Sequence, residues 1–288
     1  MARFQSFENI RWQEVLDDIA EEIKPYLSKG KAATYIPALA EVDPDQFGIA
    51  FTDLTGKTYV GGPNAYTPFS IQSISKVFAL VMALDIAGEE LWERVGREPS
   101  GSAFNSIVQL ENEKGRPRNP FINAGAIVVT NTIHQHYSSE NNSNDNSNED
   151  GTTPKQRILE FLRDCAQLDE RYIRMNEKVA ESEKQYGDRN RALAYFMRSY
   201  GIVQGSIYGT LDTYFHQCAL EMNTATLSRA GLFLAAGGLN PLNNDNVVVT
   251  SHDHVDRVNS IMMLCGHYDN SGDFASRVGL AGKSGVGG

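Results

Sequence analysis

Ser73 and Lys76 stand three residues apart in the stretch FSIQSISK, residues 69–76, which runs directly into the apolar VFALVMALDIAG. On a helix, side chains three apart share a face, so the Ser73 hydroxyl and the Lys76 amine can come within hydrogen-bonding reach. A lysine withdrawn from water gives up its proton more readily, and the neutral amine can then accept the serine proton. The unpaired N–H groups at the head of the helix would face the negative charge that develops on an attacked carbonyl. Taken alone, the pair also describes a capping serine beside a solvated lysine. The concentration of Ser70, Gln72, Ser73 and Ser75 just ahead of a buried helix argues against a merely solvated face.

A second element stands near the C-terminal end of the sequence, where AGKSGVGG places Lys283, Ser284 and Gly285 in succession. SxxK followed by K-[ST]-G is the signature of serine β-lactamases and penicillin-binding proteins, in which the second motif lies on a strand beside the nucleophile. The third motif of those enzymes is out of place: the nearest Y-x-N, Tyr268-Asp269-Asn270, lies only 15 residues before Lys283. The first residues also read as an amphipathic helix and not as an export signal. A β-lactamase-like or penicillin-binding-protein-like serine acyl hydrolase is therefore the alternative and not the leading reading.

The elements that must position these residues are those of an enzyme-sized chain of 288 residues, which fits one large domain or two intimate subdomains. No apolar run approaches the length of a membrane span. The net charge of -10, with 26 scattered lysines and arginines, argues against a nucleic-acid partner. Cys165, Cys218 and Cys265 are odd in number and widely spaced, which predicts no disulfide framework and fits a reducing cytoplasm. His134 with His136, and His252 with His254, invite a metal reading, but residues two apart on a helix point to different faces and are read as structural or surface histidines.

Apolar residues at Trp12, Val15, Leu16, Ile19, Ile23 and Leu27 predict an amphipathic helix over 12–27. FGIAFTDL and KTYVGG flank a turn containing Gly56 and predict an antiparallel hairpin. The near-continuous apolar run from Ser75 to Ala87, closed by Gly88, predicts a buried helix with SISK on its first turn. Helical patterns follow, one of them opened by Thr153 as N-cap and Pro154 at its first position. Strand signal returns only at the end of the chain. The Asn/Ser/Asp-rich tract at 138–153 predicts a mobile surface loop. The resulting fold class is α+β: an antiparallel sheet built from both chain ends, with flanking helices and an inserted all-helical subdomain.

With these stretches in view, the sequence resembles the serine-dependent glutaminases, a family of β-lactamase-like fold that hydrolyses L-glutamine to L-glutamate and ammonia. The resemblance rests on YIPALA at 35–40, FSIQSISKV at 69–77, GSAFNS at 101–106, RNPFINAGAI at 118–127, SE at 182–183, RN at 189–190, YFHQCAL at 214–220 and RVGLAGKSGVGG at 277–288, in the family's order. It implies Ser73 as nucleophile, Lys76 as its general base, and a γ-glutamyl ester on Ser73 as intermediate, with Tyr35 and Tyr268 approaching the serine. It implies substrate contacts at Gln72, Asn123, Glu183, Asn190, Tyr214, Tyr268 and Val286. In that scheme Glu183 meets the substrate ammonium, Asn123, Asn190 and tyrosine hydroxyls meet the α-carboxylate, and the Val286 N–H joins that of Ser73 in the oxyanion hole.

The resemblance implies no metal or organic cofactor, and a homodimer or homotetramer. It implies a single catalytic domain over 1–288, its sheet-containing part about 1–84 and 225–288 and its helical subdomain about 85–224. Family members usually continue past KSGVGG, so the chain reads as truncated at the C-terminus relative to the family. A non-catalytic glutamine-binding remnant is the corresponding further alternative.

Overall fold

The computed structural model describes residues 10–101, 103–138, 151–243 and 247–287. Most of the polar tract expected to be a mobile loop, 139–150, lies outside the described residues.

Helix α1 (Trp12–Ile23) turns Leu16 inward and leaves Glu14, Asp17, Asp18, Glu21 and Glu22 in solvent. It stops short of the expected Leu27 because Pro25 has no N–H to donate, and residues 24–29 continue as a tighter 3-10 helix. After α2 (Pro37–Ala40), strands β1 (Ile49–Thr52) and β2 (Thr58–Gly61) form the expected hairpin, with Ile49 opposite Gly61 and Thr52 opposite Thr58. Gly56 supplies the turn's positive φ of 82°. The hairpin packs on α1, with the Trp12 and Phe51 rings 4.3 Å apart.

Strand β3 (Phe69–Ser70) leads through a 3-10 turn, Gln72–Ile74, into α3 (Ser75–Ala87). Ser75 to Leu84 are all buried, and the helix ends at Gly88 with φ +52°. The chain continues through α4 (Leu91–Arg94), α5 (Val108–Asn112) and α6 (Asn123–Tyr137), which is buried from Ala124 to Ile133. A helix that is apolar all round belongs in an interior, and α3 and α6 pack against each other at the centre. Each fully buried Leu, Ile, Val or Phe there, such as Leu80, Val81 and Ile127, contributes about 1.5–3 kcal/mol.

Helix α7 (Pro154–Ala166) starts as expected, with a reciprocal capping box between Thr153 and Gln156. Then follow β4 (Arg174–Met175), α8 (Glu177–Tyr186), α9 (Asp188–Ser199), α10 (Ile207–Cys218) and β5 (Leu220–Met222). The chain closes with α11 (Thr224–Ala230), α12 (Leu232–Ala235), α13 (His252–Cys265) and α14 (Ser271–Val278). Helices α7, α9 and α10 pack on α6, and α13 packs on α3.

The architecture is α+β, mostly helical with small antiparallel sheets. It differs from expectation in where the strands fall. β1 and β2 form a two-stranded sheet, residues 279–287 carry no strand, and the segment 85–224, read as helical, contributes β4 and β5. Strands of two or three residues are too short to leave an alternating pattern in sequence. In the second sheet β5 lies between β3 and β4, pairing Ser70 with Glu221 and Arg174 with Glu221. This sheet fastens the segment before Ser73 to the end of α10 and the start of α8. Among the described residues, no helix is long and apolar enough to cross a membrane.

Candidate active site

Ser73 lies in the 3-10 turn and Lys76 in the first turn of α3, where Lys76 is 1% exposed. The Lys76 Nζ donates to the Phe121 carbonyl at 3.1 Å and to Asn123 Oδ1 at 2.8 Å, and the partner of Ser73 is the Tyr268 phenol. Those acceptors are held by local chemistry. Asn119 Oδ1 accepts the N–H groups of Phe121 and Ile122, and Gly125 lets residues 119–120 fold onto α6, where a Cβ would sit 1.9 Å from the Asn119 carbonyl.

The C-terminal segment is carried to Ser73 by close backbone approaches that only glycine permits. A Cβ on Gly287 would lie 2.1 Å from the Ser70 carbonyl, and one on Gly266 would lie 1.8 Å from the Gly282 carbonyl. The Ser284 N–H donates to the Gly266 carbonyl. Lys283 Nζ thereby reaches Tyr268 Oη at 3.3 Å and the Ser284 carbonyl at 2.6 Å. Val286 is placed by these glycine neighbours and is itself half-exposed.

Electrostatics set Tyr268 apart. Burial pushes its phenol up, but Lys76, Lys283 and hydrogen bonds with Ser73 and Lys283 outweigh this and bring it down to about 8. Lys283 is also lowered to about 8, first by burial and then by Lys76, against the opposing pull of Tyr268. The two groups therefore titrate as a coupled pair.

Glu183, on α8, is 4% exposed and accepts a 2.7 Å hydrogen bond from Tyr35 Oη. Burial raises its carboxyl, opposed by hydrogen bonds from Tyr35 and Gln72 and by Lys76. Tyr35 is 52% exposed as a residue, yet its hydroxyl end is turned inward, where burial and then Glu183 push it well above the ordinary phenol value. The same hydroxyl lies 3.2 Å from Gln72 Oε1. Asn123, first residue of α6, donates to Asn190 Oδ1 on α9 at 3.1 Å. Tyr214, on α10, is buried and hydrogen-bonded to Cys218, whose thiol burial and then Glu183 raise to about 12.

Gln72 and Tyr268 both hold left-handed backbone conformations, with φ of +47° and +55°. For residues with a Cβ this costs on the order of 1–3 kcal/mol each, and such strain clusters at functional sites. The fold therefore links Ser73, Lys76, Tyr268, Gln72, Tyr35, Glu183, Asn123, Asn190 and Tyr214 into one partly buried polar cluster. Lys283 belongs to it through Tyr268, a role whose only sequence signal was the Lys-Ser-Gly triplet. A cavity of about 850 Å³ between β1, α11, α12 and residues 285–287 touches Val286 alone among the candidates, so it is separate from this cluster. The histidines of the two HxH pairs lie elsewhere: His134 meets Thr213 and His254 meets Asp85. Among the described residues no group of three or more His, Cys, Asp or Glu side chains could hold a metal, and the cysteines are unpaired and buried.

Comparison with known proteins shows the family. A model of the Glutaminase family matches residues 30–288. A glutaminase of Agrobacterium fabrum is 55% identical over 277 residues, covering 96% of this chain and 84% of that protein. A glutaminase of Rhizobium johnstonii is 54% identical with the same coverage. The crystal structure of a probable glutaminase of Bacillus subtilis superposes with a TM-score of 0.81 at 30% identity, covering 96% of this chain and 80% of that one. The fold is the serine β-lactamase-like α+β arrangement, and the chain is an amidohydrolase that belongs to the glutaminase family.

Proposed function

We propose that this chain hydrolyses L-glutamine to L-glutamate and ammonia through a γ-glutamyl ester on Ser73. The observation that carries the reading is the Tyr268 phenol, hydrogen-bonded to Ser73 and drawn down to about 8 between Lys76 and Lys283. It supports a serine whose oxygen is held and polarised for attack. The relatives named glutaminase support the choice of substrate.

In this mechanism Glu183 meets the substrate ammonium, with Tyr35 yielding part of its hydrogen bond. Asn123, Asn190 and the Tyr214 hydroxyl receive the α-carboxylate, and Gln72 borders the side-chain amide. Lys76 Nζ, held by its hydrogen bonds to the Phe121 carbonyl and Asn123 Oδ1, takes the Ser73 proton as general base. The Ser73 Oγ bonds to the amide carbon, and the resulting oxyanion is met by the N–H groups of Ser73 and Val286. Lys76 returns its proton to the nitrogen as the C–N bond breaks and ammonia leaves. Water, losing a proton to Lys76, then attacks the ester, and glutamate departs as Ser73 regains its proton.

The test is ammonia release from L-glutamine by the 288-residue chain beside Ser73→Ala, with L-asparagine as control. Release that needs Ser73 and is absent with asparagine supports the reading. Saturable glutamine binding without release would overturn the catalytic claim, and acylation by a penicillin in place of turnover would overturn the substrate.

A further inference from the structure

A directed chain of buried hydrogen bonds ends on the peptide unit that carries Ser73. Thr130 Oγ1 donates to Gln217 Oε1 at 2.9 Å, Gln217 Nε2 donates to Ser75 Oγ at 3.3 Å, and Ser75 Oγ donates to the Gln72 carbonyl at 2.7 Å. The three side chains come from α6, α10 and α3, and none is more than 1% exposed. None of the three is itself assigned to substrate in the mechanism above, and the chain meets Gln72 at its backbone carbonyl and not at its side chain.

The direction of the chain follows from proton counting. Ser75 has one hydroxyl proton, and it goes to the Gln72 carbonyl, so the Ser75 oxygen accepts from Gln217. That turns the Gln217 amide nitrogen toward Ser75 and its oxygen toward Thr130. The Thr130 proton is shared with the Ala126 carbonyl, also 2.9 Å away, which anchors the far end to α6.

Hydrocarbon of the same shape could fill these positions at little cost in stability, because removing both partners of a buried hydrogen bond leaves nothing unpaired. What the polar chain adds is direction. Its terminus, Gln72, is one of the strained left-handed residues, with φ +47°. The Gln72 carbonyl and the Ser73 N–H belong to one planar peptide unit and point in opposite directions. Pinning the carbonyl therefore aims the N–H and sets the entry angle of the Ser73 side chain.

We infer that Thr130, Gln217 and Ser75 are positioning residues for the Ser73 nucleophile, acting through the Gln72 carbonyl. The inference rests on Ser73 being the nucleophile. It gives the buried polar chain a catalytic consequence without contact to substrate.

The experiment measures glutamine turnover and hydrogen exchange of the amides at 72–76 in the full chain and in Thr130→Val, Gln217→Met and Ser75→Ala, with Thr130→Ser as the conservative variant. Expected are losses in kcat of roughly 10- to 100-fold with KM within about twofold, the usual effect of misaligning a reacting group. Thr130→Ser should keep activity near that of the parent. Exchange at 72–76 should quicken in the three disrupting variants while melting temperatures remain cooperative. Unchanged kcat in folded variants, or a loss confined to KM, overturns the positioning role. If the parent chain releases no ammonia, the glutaminase reading fails on its own, and exchange decides the inference: unchanged exchange at 72–76 sinks it and faster exchange sustains the pinning of the turn.

Discussion

Lys283 Nζ lies 3.3 Å from the Tyr268 hydroxyl and 4.4 Å from the centre of its ring, so one cation contacts both the oxygen and the face of the tyrosine bonded to Ser73. A nearby positive charge favours the phenolate, and removing it must raise the tyrosine pKa. Because Tyr268 is hydrogen-bonded to Ser73, its loss of a proton near pH 8 should appear as a limb in the pH profile of kcat/KM. Lys283→Met should move that limb about one pH unit to the alkaline side, as read from a pH profile of glutamine hydrolysis. A limb that stays in place would remove Tyr268 from the pH dependence.

The same pair affects stability with a definite sign. Tyr268 titrates near 8 when folded against an ordinary 10, and Lys283 near 8 against 10.5, so between pH 8 and 10 the unfolded chain binds more protons. Stability contributed by the pair therefore rises with pH across this window. The Tyr268 part is present above 10 and lost as pH falls through 8, while the Lys283 penalty is full below 8 and gone above 10.5. Denaturant midpoints should climb more from pH 8 to 10 in the parent than in a Tyr268→Phe, Lys283→Met double variant.

Lys76→Met separates catalysis from folding. Loss of a general base typically costs 100- to 10 000-fold in rate, and kcat should fall by about that much. Removing the buried amine leaves the Phe121 carbonyl and Asn123 Oδ1 without their donor, at a cost of about 1–3 kcal/mol. The expected result is a nearly inactive protein that still unfolds cooperatively, with a melting temperature only modestly below that of the parent. Substantial residual kcat would remove Lys76 as the base.

Glu183→Gln should act on substrate binding. A hydrogen bond to a charged group is worth about 1.5–3 kcal/mol, which predicts a KM for glutamine about 10- to 100-fold higher with a smaller change in kcat. Since burial raises the Glu183 carboxyl, KM in the parent should also climb as pH falls into the acid range, and this climb should be absent in the variant. Steady-state kinetics across pH checks both.

Gly125→Ala tests the backbone approach under Lys76. The added Cβ would lie 1.9 Å from the Asn119 carbonyl, and its nearest neighbours are all backbone of residues 119–120, with no flexible side-chain end to give way. Overpacking of this kind costs about 1–3 kcal/mol, so thermal denaturation should show a clear drop in melting temperature. Activity should fall with it, because the Phe121 carbonyl and Asn123 that hold Lys76 follow directly in the chain.

Much of the fold and the centre of the site were legible in the residues themselves. The apolar run after Lys76, the Thr153-Pro154 start and the Gly56 turn each write a local geometry into a few consecutive residues. All three appear where those residues place them. Ser73 and Lys76 could be singled out as a pair from their spacing, but Ser73 lies in the 3-10 turn ahead of α3, and the partners the fold supplies are Tyr268 for Ser73 and the Phe121 carbonyl and Asn123 for Lys76. Sequence also marked Pro25, but apolar spacing alone carried the first helix too far.

Tertiary structure decided what distant segments do to one another. Tyr35 meets Glu183 across 148 residues, Ser75 meets Gln217 across 142, and Ser70 pairs with Glu221 in a strand two residues long. Such pairings come from close packing of α3, α6, α8 and α10, which leaves no periodic trace in any single stretch. The left-handed turn at Gln72 is partly of this kind. The Ser75 hydroxyl, three residues on, holds its carbonyl locally, and the fold adds the hydrogen bond of Gln217 to Ser75 and that of Tyr35 to the Gln72 side chain.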